Sequence, residues 1–380
     1  MEKYEIIIIG AGASGIMCAL NTNRQVLLLE ASDRVGKKIL VTGNGKCNIT
    51  NDHVVAACYN TPLVDRYLAQ FNSNQTLQYF TQLGIFTYAD EQGRRYPLSN
   101  SANSVLDLLF KALSLRRNVK IKVNARPQVV AKTPHGFTVT TEGSTYQCDK
   151  LVLATGGNSG TQYLQQLQVA YCPFRPSLMG LKTTKNKGLA GVRVSNVRVR
   201  WRHFDEVGEV LFKDDGISGI VIFNLSAHLA RNNIRAGKLS LDLLAGVAED
   251  QLLAMLKISV QHNPAYTLSE ILAGLLHKSL ARNLVERLGL QQKLAQDCTE
   301  SDLRGLVNAL KNYTVDFIGY ADNQQVHTGG VDLQDLDGNL QHKQVRNLYL
   351  AGEVVNVDGV CGGYNLQWAW TSGKIVGNNL

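Results

Sequence analysis

The first fifteen residues constrain this chain more than any other stretch. Tyr4 and Glu5 lead into an unbroken apolar run, Ile6 to Ile9, and Gly10-Ala11-Gly12-Ala13-Ser14-Gly15 follows at once. A run without polar alternation suits a strand buried on both faces of a parallel sheet. The Gly-x-Gly-x-x-Gly spacing suits the turn into the helix of a mononucleotide-binding βαβ unit. Gly10 allows the tight turn, Gly12 lets the backbone approach a pyrophosphate with no Cβ in the way, and Gly15 lets the helix pack close to the strand. Ala13 and Ser14 open a helix whose free N–H groups and dipole favour an anion. A second apolar run, Val26 to Leu29, ends in Glu30, about 20 residues after Gly10, where a carboxylate accepts from ribose hydroxyls and repels a 2′-phosphate. The dinucleotide expected is FAD or NAD rather than NADP. A glycine triplet alone would fit an ordinary turn; the strand before it, the helix after it and the acid at this distance favour the nucleotide.

At 380 residues the chain should divide into two or three domains. No apolar run reaches the roughly 18 residues needed to span a bilayer, and the start runs straight into a strand, so the expectation is a cytoplasmic protein without a membrane partner. Seven cysteines, Cys18, Cys47, Cys58, Cys148, Cys172, Cys298 and Cys361, are scattered with no Cys-x-x-Cys pair. That pattern argues against a disulfide framework, a metal site and a local redox dithiol. The charge of +8, from 39 basic and 31 acidic residues, fits solubility and attraction for an anionic cofactor. A sharper explanation is a nucleic-acid face, and no Lys/Arg run decides between the two.

After Glu30, the polar segment from Asp33 to Asn51 contains Lys37, Lys38, Gly43, Asn44, Gly45, Cys47 and Asn48, and it reads as a loop that wraps an anionic or polar ligand. Leu63, Tyr67, Leu68 and Phe71, then Leu77, Phe80 and Leu83, have helical spacing. Asp90 to Asn100 reads as a turn before a helix that carries Val105, Leu106, Leu109 and Leu113. Val119 to Val152 reads as a β-meander that returns to the sheet through Leu151-Val152-Leu153 and ends in Ala154-Thr155-Gly156-Gly157. Such an end lies at the carboxyl edge of a parallel sheet, where ligands bind. From about 186 the composition shifts. Val192 to Trp201, Glu209 to Phe212 and Ile220 to Leu225 are β-type runs, and Leu241 to Lys311 is largely helical. The expected organisation is a nucleotide domain over 1–185 and 315–380, interrupted by an insert over 186–314 that is β-rich to 240 and helical from 241. In the last part, a strand ends in Gly352-Glu353, and Gly362-Gly363-Tyr364-Asn365 opens a helix.

These separated segments are similar to those of an FAD protein of the two-dinucleotide-binding type, an α/β Rossmann-like fold. More narrowly, the chain resembles the BaiN/RdsA family of flavoproteins. The resemblance rests on Gly36-Lys37-Lys38, on Gly43 to Asn51, on Gly93-Arg94-Arg95-Tyr96-Pro97, on Gly216-Ile217-Ser218-Gly219, on Gly329-Gly330-Val331-Asp332 and on Gly352 to Trp370. Lys213 and Ile220 depart from the Thr and Pro usual in that family, and the helical insert is short, which bears on the substrate side. The resemblance implies an FAD domain with a β-rich and helical insert and a redox reaction at the flavin. It leaves the substrate open between amines, conjugated double bonds of steroid-like acids and uridine in RNA.

Within that reading, Gly362, Gly363, Tyr364 and Asn365 present a helix N-terminus to the flavin edge where negative charge develops. Glu353 suits a ribityl hydroxyl better than catalysis. His327 is the catalytic candidate, against a structural role for a lone histidine at a strand edge. Cys47 and Cys361 are more simply small packing residues than redox groups. The favoured expectation is an FAD-dependent oxidoreductase acting on a small molecule; the alternatives are reduction of uridine in RNA, with Tyr96 and Tyr364 as stacking platforms and Arg94 and Arg95 as phosphate contacts, and a flavin-binding protein without turnover. With no second dinucleotide fingerprint, an NAD(P)H donor, if used, binds transiently. The sequence leaves the oligomeric state open.

Overall fold

The computed structural model describes residues 1–184, 188–322 and 325–380. They form two compact units: one combines 1–176 with 325–380, and the other spans 177–324.

The first unit is built on a seven-stranded sheet. Its four parallel neighbours are Val119–Lys122, Val26–Leu29, Glu2–Ile9 and Ser144–Leu153, in that order. Ile6 to Ile9 pair with Val26 to Leu29 on one side and with Lys150 to Leu153 on the other. The unbroken apolar run follows from this, because a central strand covered on both faces has no side for a polar residue. Leu348–Leu350 extends the sheet in parallel beside Leu151 to Leu153, while Gly136–Thr141 and Pro127–Thr133 add an antiparallel meander on the earlier half of Ser144–Leu153. The meander thus begins at Pro127; Val119–Lys122 belongs to the parallel core instead.

The C-terminal helix Tyr364–Asn378 packs along the helix Ala13–Leu20 through glycines. A Cβ on Gly373 would lie 2.4 Å from the Ser14 carbonyl oxygen, and one on Gly377 2.6 Å from that of Cys18. The close approach fixes the last segment of the chain against the first. In place of the expected turn, Arg94–Pro97 is the middle strand of a small antiparallel sheet with Thr50–Asn51 and Thr87–Ala89. The turn itself is confined to Asp90–Gly93, where Gly93 takes φ +73° and its N–H donates to Asp90.

The second unit contains a closed six-stranded barrel, in the order Leu181–Thr183, Gly216–Ser218, Phe204–Lys213, Arg193–Trp201, Gly237–Asp242 and Tyr313–Tyr320. The expected boundary at 185/186 lies outside the described residues. The unit runs to 324 rather than 314 because Tyr313–Tyr320 closes the barrel. The segment expected to be helical from 241 supplies Glu249–His262, Lys278–Arg287 and Glu300–Lys311. Ile220 to Leu225 is helical, not β-type, and belongs to Ile220–Arg231. Its buried residues Val221, Ile222, Leu225 and Leu229 recur at helical spacing, and the first six residues alone were too short to show that period. Among the described residues no helix is long and apolar enough to cross a membrane.

Candidate functional site

The turn after the first strand shows why each glycine stands where it does. Gly10 has φ +103°, and a Cβ there would lie 2.3 Å from the Ala154 carbonyl oxygen. A Cβ on Gly15 would lie 1.9 Å from the Gly10 carbonyl oxygen. Gly12 differs, for its Cβ would meet no protein atom within 4 Å. Two of the glycines therefore serve packing, and the third leaves space. Gly12 is also the N-cap of Ala13–Leu20, with no side-chain cap, so the first N–H groups of that helix are left for a ligand.

That space belongs to a cleft of about 530 Å³, within the range typical of cofactor sites. Of the residues singled out from the sequence, Gly10, Gly12, Ala13, Ser14, Glu30, Lys37, Lys38, Ala154, Thr155, Gly156, Gly352, Glu353 and Asn365 line it. The Glu30 carboxylate is oriented by the backbone, accepting from the N–H of Ala11 at 2.9 Å and of Ser32 at 2.8 Å. In the turn Gly352–Val354, just after the last strand, Gly352 has φ +76°; its N–H donates to the Ser372 hydroxyl at 2.8 Å, and its carbonyl accepts from the Trp368 indole at 3.0 Å. Lys38 donates to Glu353 Oε2 at 2.7 Å. Burial alone would raise the Glu353 carboxyl, but the Lys38 ammonium, helped by hydrogen bonds from His327 and Lys38, holds it at about 2.

The sequence reading missed Ser32, Gly36, Thr42, Gln325, Trp368 and Ala369, which also line the cleft. Trp368 and Ala369 follow Asn365 by three and four residues on one helix face, so that spacing could have found them.

Gly15, Gly43, Asn44, Gly45, Cys47, Asn48, Gly362, Gly363 and Tyr364 are not in the cleft lining. Most of them meet in a second cluster, continuous in sequence with the lining residues Thr42 and Asn365. Gly43, Asn44, Gly45 and Cys47 all take positive φ, between +54° and +83°. A Cβ on Gly363 would lie 2.5 Å from the Thr50 carbonyl oxygen and 2.8 Å from Asn48 Oδ1. The Asn48 oxygen is buried and has no hydrogen-bond partner among the described residues. Cys47 is fully buried, its thiol pushed up to about 12, and burial raises Cys361 to about 11 against the pull of Arg94. Neither is a thiolate near neutral pH, in keeping with packing roles.

The C-terminal helix also anchors this cluster. Trp370 donates its indole N–H to the Ile49 carbonyl at 3.0 Å. Gln367, fully buried, accepts from the Thr50 hydroxyl at 2.6 Å and donates its two amide hydrogens to the hydroxyls of Thr76 and Thr371, each at 2.9 Å. Gln367→Leu should cost about 1–3 kcal/mol because it strands buried polar partners. A urea unfolding midpoint unchanged from wild type would show that these bonds contribute nothing.

Four further candidates, Tyr364, Arg94, Arg95 and His327, are already held by other residues. Tyr364 is buried and packs edge-on against Tyr59, so it offers no open stacking face. Arg94 pairs with Asp90 and Arg95 with Asp52, each at 2.6 Å. His327 sits beside Gln325 and Val326 but does not itself line the cleft. It is bonded to Glu353 through both its backbone N–H and its ring.

A family model described as "HI0933-like protein Rossmann domain" matches residues 4–379. The chain belongs to the HI0933-like Rossmann family. It is 34% identical to the "3-dehydro-bile acid delta(4,6)-reductase" of Clostridium scindens, over 97% of both chains. It is 30% identical to the "ribosomal RNA dihydrouridine synthase" of Escherichia coli, covering 100% of this chain and 98% of that one. Among solved structures, the 3-ketosteroid delta1-dehydrogenase of Sterolibacterium denitrificans shares the fold, with a TM-score of 0.54 at 12% identity, covering 100% of this chain and 99% of that one. By family and fold this HI0933-like chain is an FAD-dependent oxidoreductase.

Proposed function

We propose that this oxidoreductase reduces a conjugated carbon–carbon double bond in a small, largely apolar molecule, with FAD held in the 530 Å³ cleft. FAD, when bound and first reduced by a donor such as NAD(P)H, would supply the hydride from its N5 position and return to the oxidised form. The uncapped N-terminus at Gly12 to Ser14 would receive the pyrophosphate. Glu30 would accept from the ribose hydroxyls, and Glu353 from the ribityl chain. The cluster of Gly43 to Asn48 with Gly362 to Tyr364 would border the ring end of the cofactor.

The observation that carries the small-molecule reading is the 34% identity to the Clostridium scindens reductase over 97% of both chains. The Escherichia coli relative favours a second reading, reduction of a uridine in RNA. Against that reading, Arg94 and Arg95 are already neutralised by aspartates and Tyr364 is buried, so the phosphate contacts and one stacking platform it needs are committed elsewhere. A nicotinamide donor would bind transiently and give ping-pong kinetics. The cysteines form no disulfide among the described residues, which fits a reducing compartment such as the cytoplasm.

Rapid mixing of anaerobically reduced holoenzyme tests the assignment. Reoxidation by a conjugated 3-oxo steroid acid but not by its saturated analogue is expected. Reoxidation by structured RNA alone would replace the reading with the second one, and reoxidation by neither would leave a flavin-binding protein without this turnover.

A further inference from the structure

Two carboxylates line the cleft, and they are held in different ways. Glu30 is oriented by backbone N–H groups, whereas Glu353 is oriented by one backbone N–H and two side chains, all from residues distant in sequence. Its Oε1 accepts from the His327 backbone N–H at 2.6 Å and lies 3.1 Å from His327 Nδ1. Its Oε2 accepts from Lys38 at 2.7 Å.

The histidine ring is itself confined. A Cβ on Gly157 would lie 2.7 Å from it, so only glycine fits at that position, and Phe174 meets it edge-on at 6.5 Å. An ionised carboxylate only accepts hydrogen bonds, so the ring nitrogen facing Glu353 must be the one that carries a proton.

We propose that His327 is a positioning residue that acts through Glu353: together with Lys38 it fixes the Glu353 carboxylate as the acceptor for a hydroxyl of the cofactor's polyol chain. The assignment rests on the FAD reading above and changes the role of His327 from catalytic candidate to support. A carboxylate has about four acceptor positions. Three are taken by His327 and Lys38, which leaves one for a ligand in the cleft that Glu353 lines.

The charge balance gives the arrangement a measurable consequence. Burial works to raise the Glu353 carboxyl, and Lys38 and His327 oppose it. The other elements packed on the Gly352–Val354 turn do little to help. The helix Ala13–Leu20 has only the buried thiol of Cys18, and Tyr364–Asn378 has the phenol of Tyr364 and Lys374, whose ammonium is bonded to Asn21. On the strand that pairs with Val326–Gly330, Cys172 contacts Asp332 and Arg175 is the one cation. With its carboxyl depressed to about 2, Glu353 keeps its acceptor charge above 4.5 and loses it only as pH falls through about 2. Removing both supports lets burial prevail, and the group then titrates in an accessible range.

The test measures FAD affinity of the holoenzyme by flavin fluorescence between about pH 8 and about pH 5. Wild type and His327→Gln, which keeps a side-chain donor, should be flat. Lys38→Met combined with His327→Leu should lose at least about tenfold in affinity toward the acid end, and Glu353→Gln should be weaker but flat. The 15N resonances of the wild-type His327 imidazole should place its proton on Nδ1. A flat profile in the double variant, a proton on Nε2, or a His327→Leu enzyme that binds FAD normally yet loses turnover would each overturn the assignment. A wild-type protein that takes up no FAD would overturn the cofactor reading as well. If the double variant does not fold, the 15N measurement on wild type still decides.

Discussion

Gly12→Val is expected to fold normally and to lose FAD, with affinity falling about a hundredfold or more, equivalent to about 2.7 kcal/mol. The reason is that nothing in the protein occupies the space beside Gly12, so added methyl groups would fill the room a pyrophosphate needs. Gly15→Ala should show the opposite pattern. Its single added carbon would overlap the Gly10 carbonyl oxygen at 1.9 Å, forcing the helix away from the strand at a cost of about 1–3 kcal/mol or more. Flavin absorbance per chain and the urea midpoint, measured on both variants, separate the two effects. Stoichiometric FAD in Gly12→Val would remove the glycine turn from the cofactor site.

The second large effect concerns the inserted unit and has nothing to do with the flavin. Lys311 and Asp242 form an ion pair at 2.6 Å with side chains only 11% and 3% exposed. Lys311 also donates to the carbonyls of Leu244 and Val247, and Asp242 accepts from the Leu244 N–H. The pair ties the helix Glu300–Lys311 to the end of the strand Gly237–Asp242. Lys311→Met leaves a buried carboxylate without its counter-ion, which costs about 3–5 kcal/mol. At about 2–4 °C per kcal/mol for a domain of this size, thermal unfolding of the unit should move down by roughly 10 °C. Adding Asp242→Leu should recover much of that loss. A melting curve unmoved by Lys311→Met would mean that water reaches the site.

The parts of the fold that could be read from the sequence are those where one physical demand dominates. Ile6 to Ile9 had to be buried on both faces, and Gly10, Gly12 and Gly15 had to meet steric limits that no other residue satisfies. Glu30 was placed by distance alone, and its carboxylate does line the cleft. Sequence pattern and structure part where two demands overlap. Ile220 to Leu225 is rich in β-branched residues, yet burial of Leu229 one turn later shows that helical packing overrode propensity. Asp90 to Asn100 reads as a turn before a helix, yet Arg94 and Arg95 are each satisfied by an aspartate, which lets Arg94–Pro97 form a strand. His327 was legible as a special residue, but its bond to Glu353 was not, because that partner is 26 residues away and the contact exists only in the folded chain.

The measurement that tests the account most directly is the cofactor content of the purified protein. The cleft built from Gly10 to Ser14, Glu30, Ala154 to Gly156 and Gly352–Glu353 predicts one FAD per chain, released on denaturation, whose absorbance bleaches on anaerobic reduction. Stoichiometric NAD in its place, with no flavin, would contradict the account at its centre.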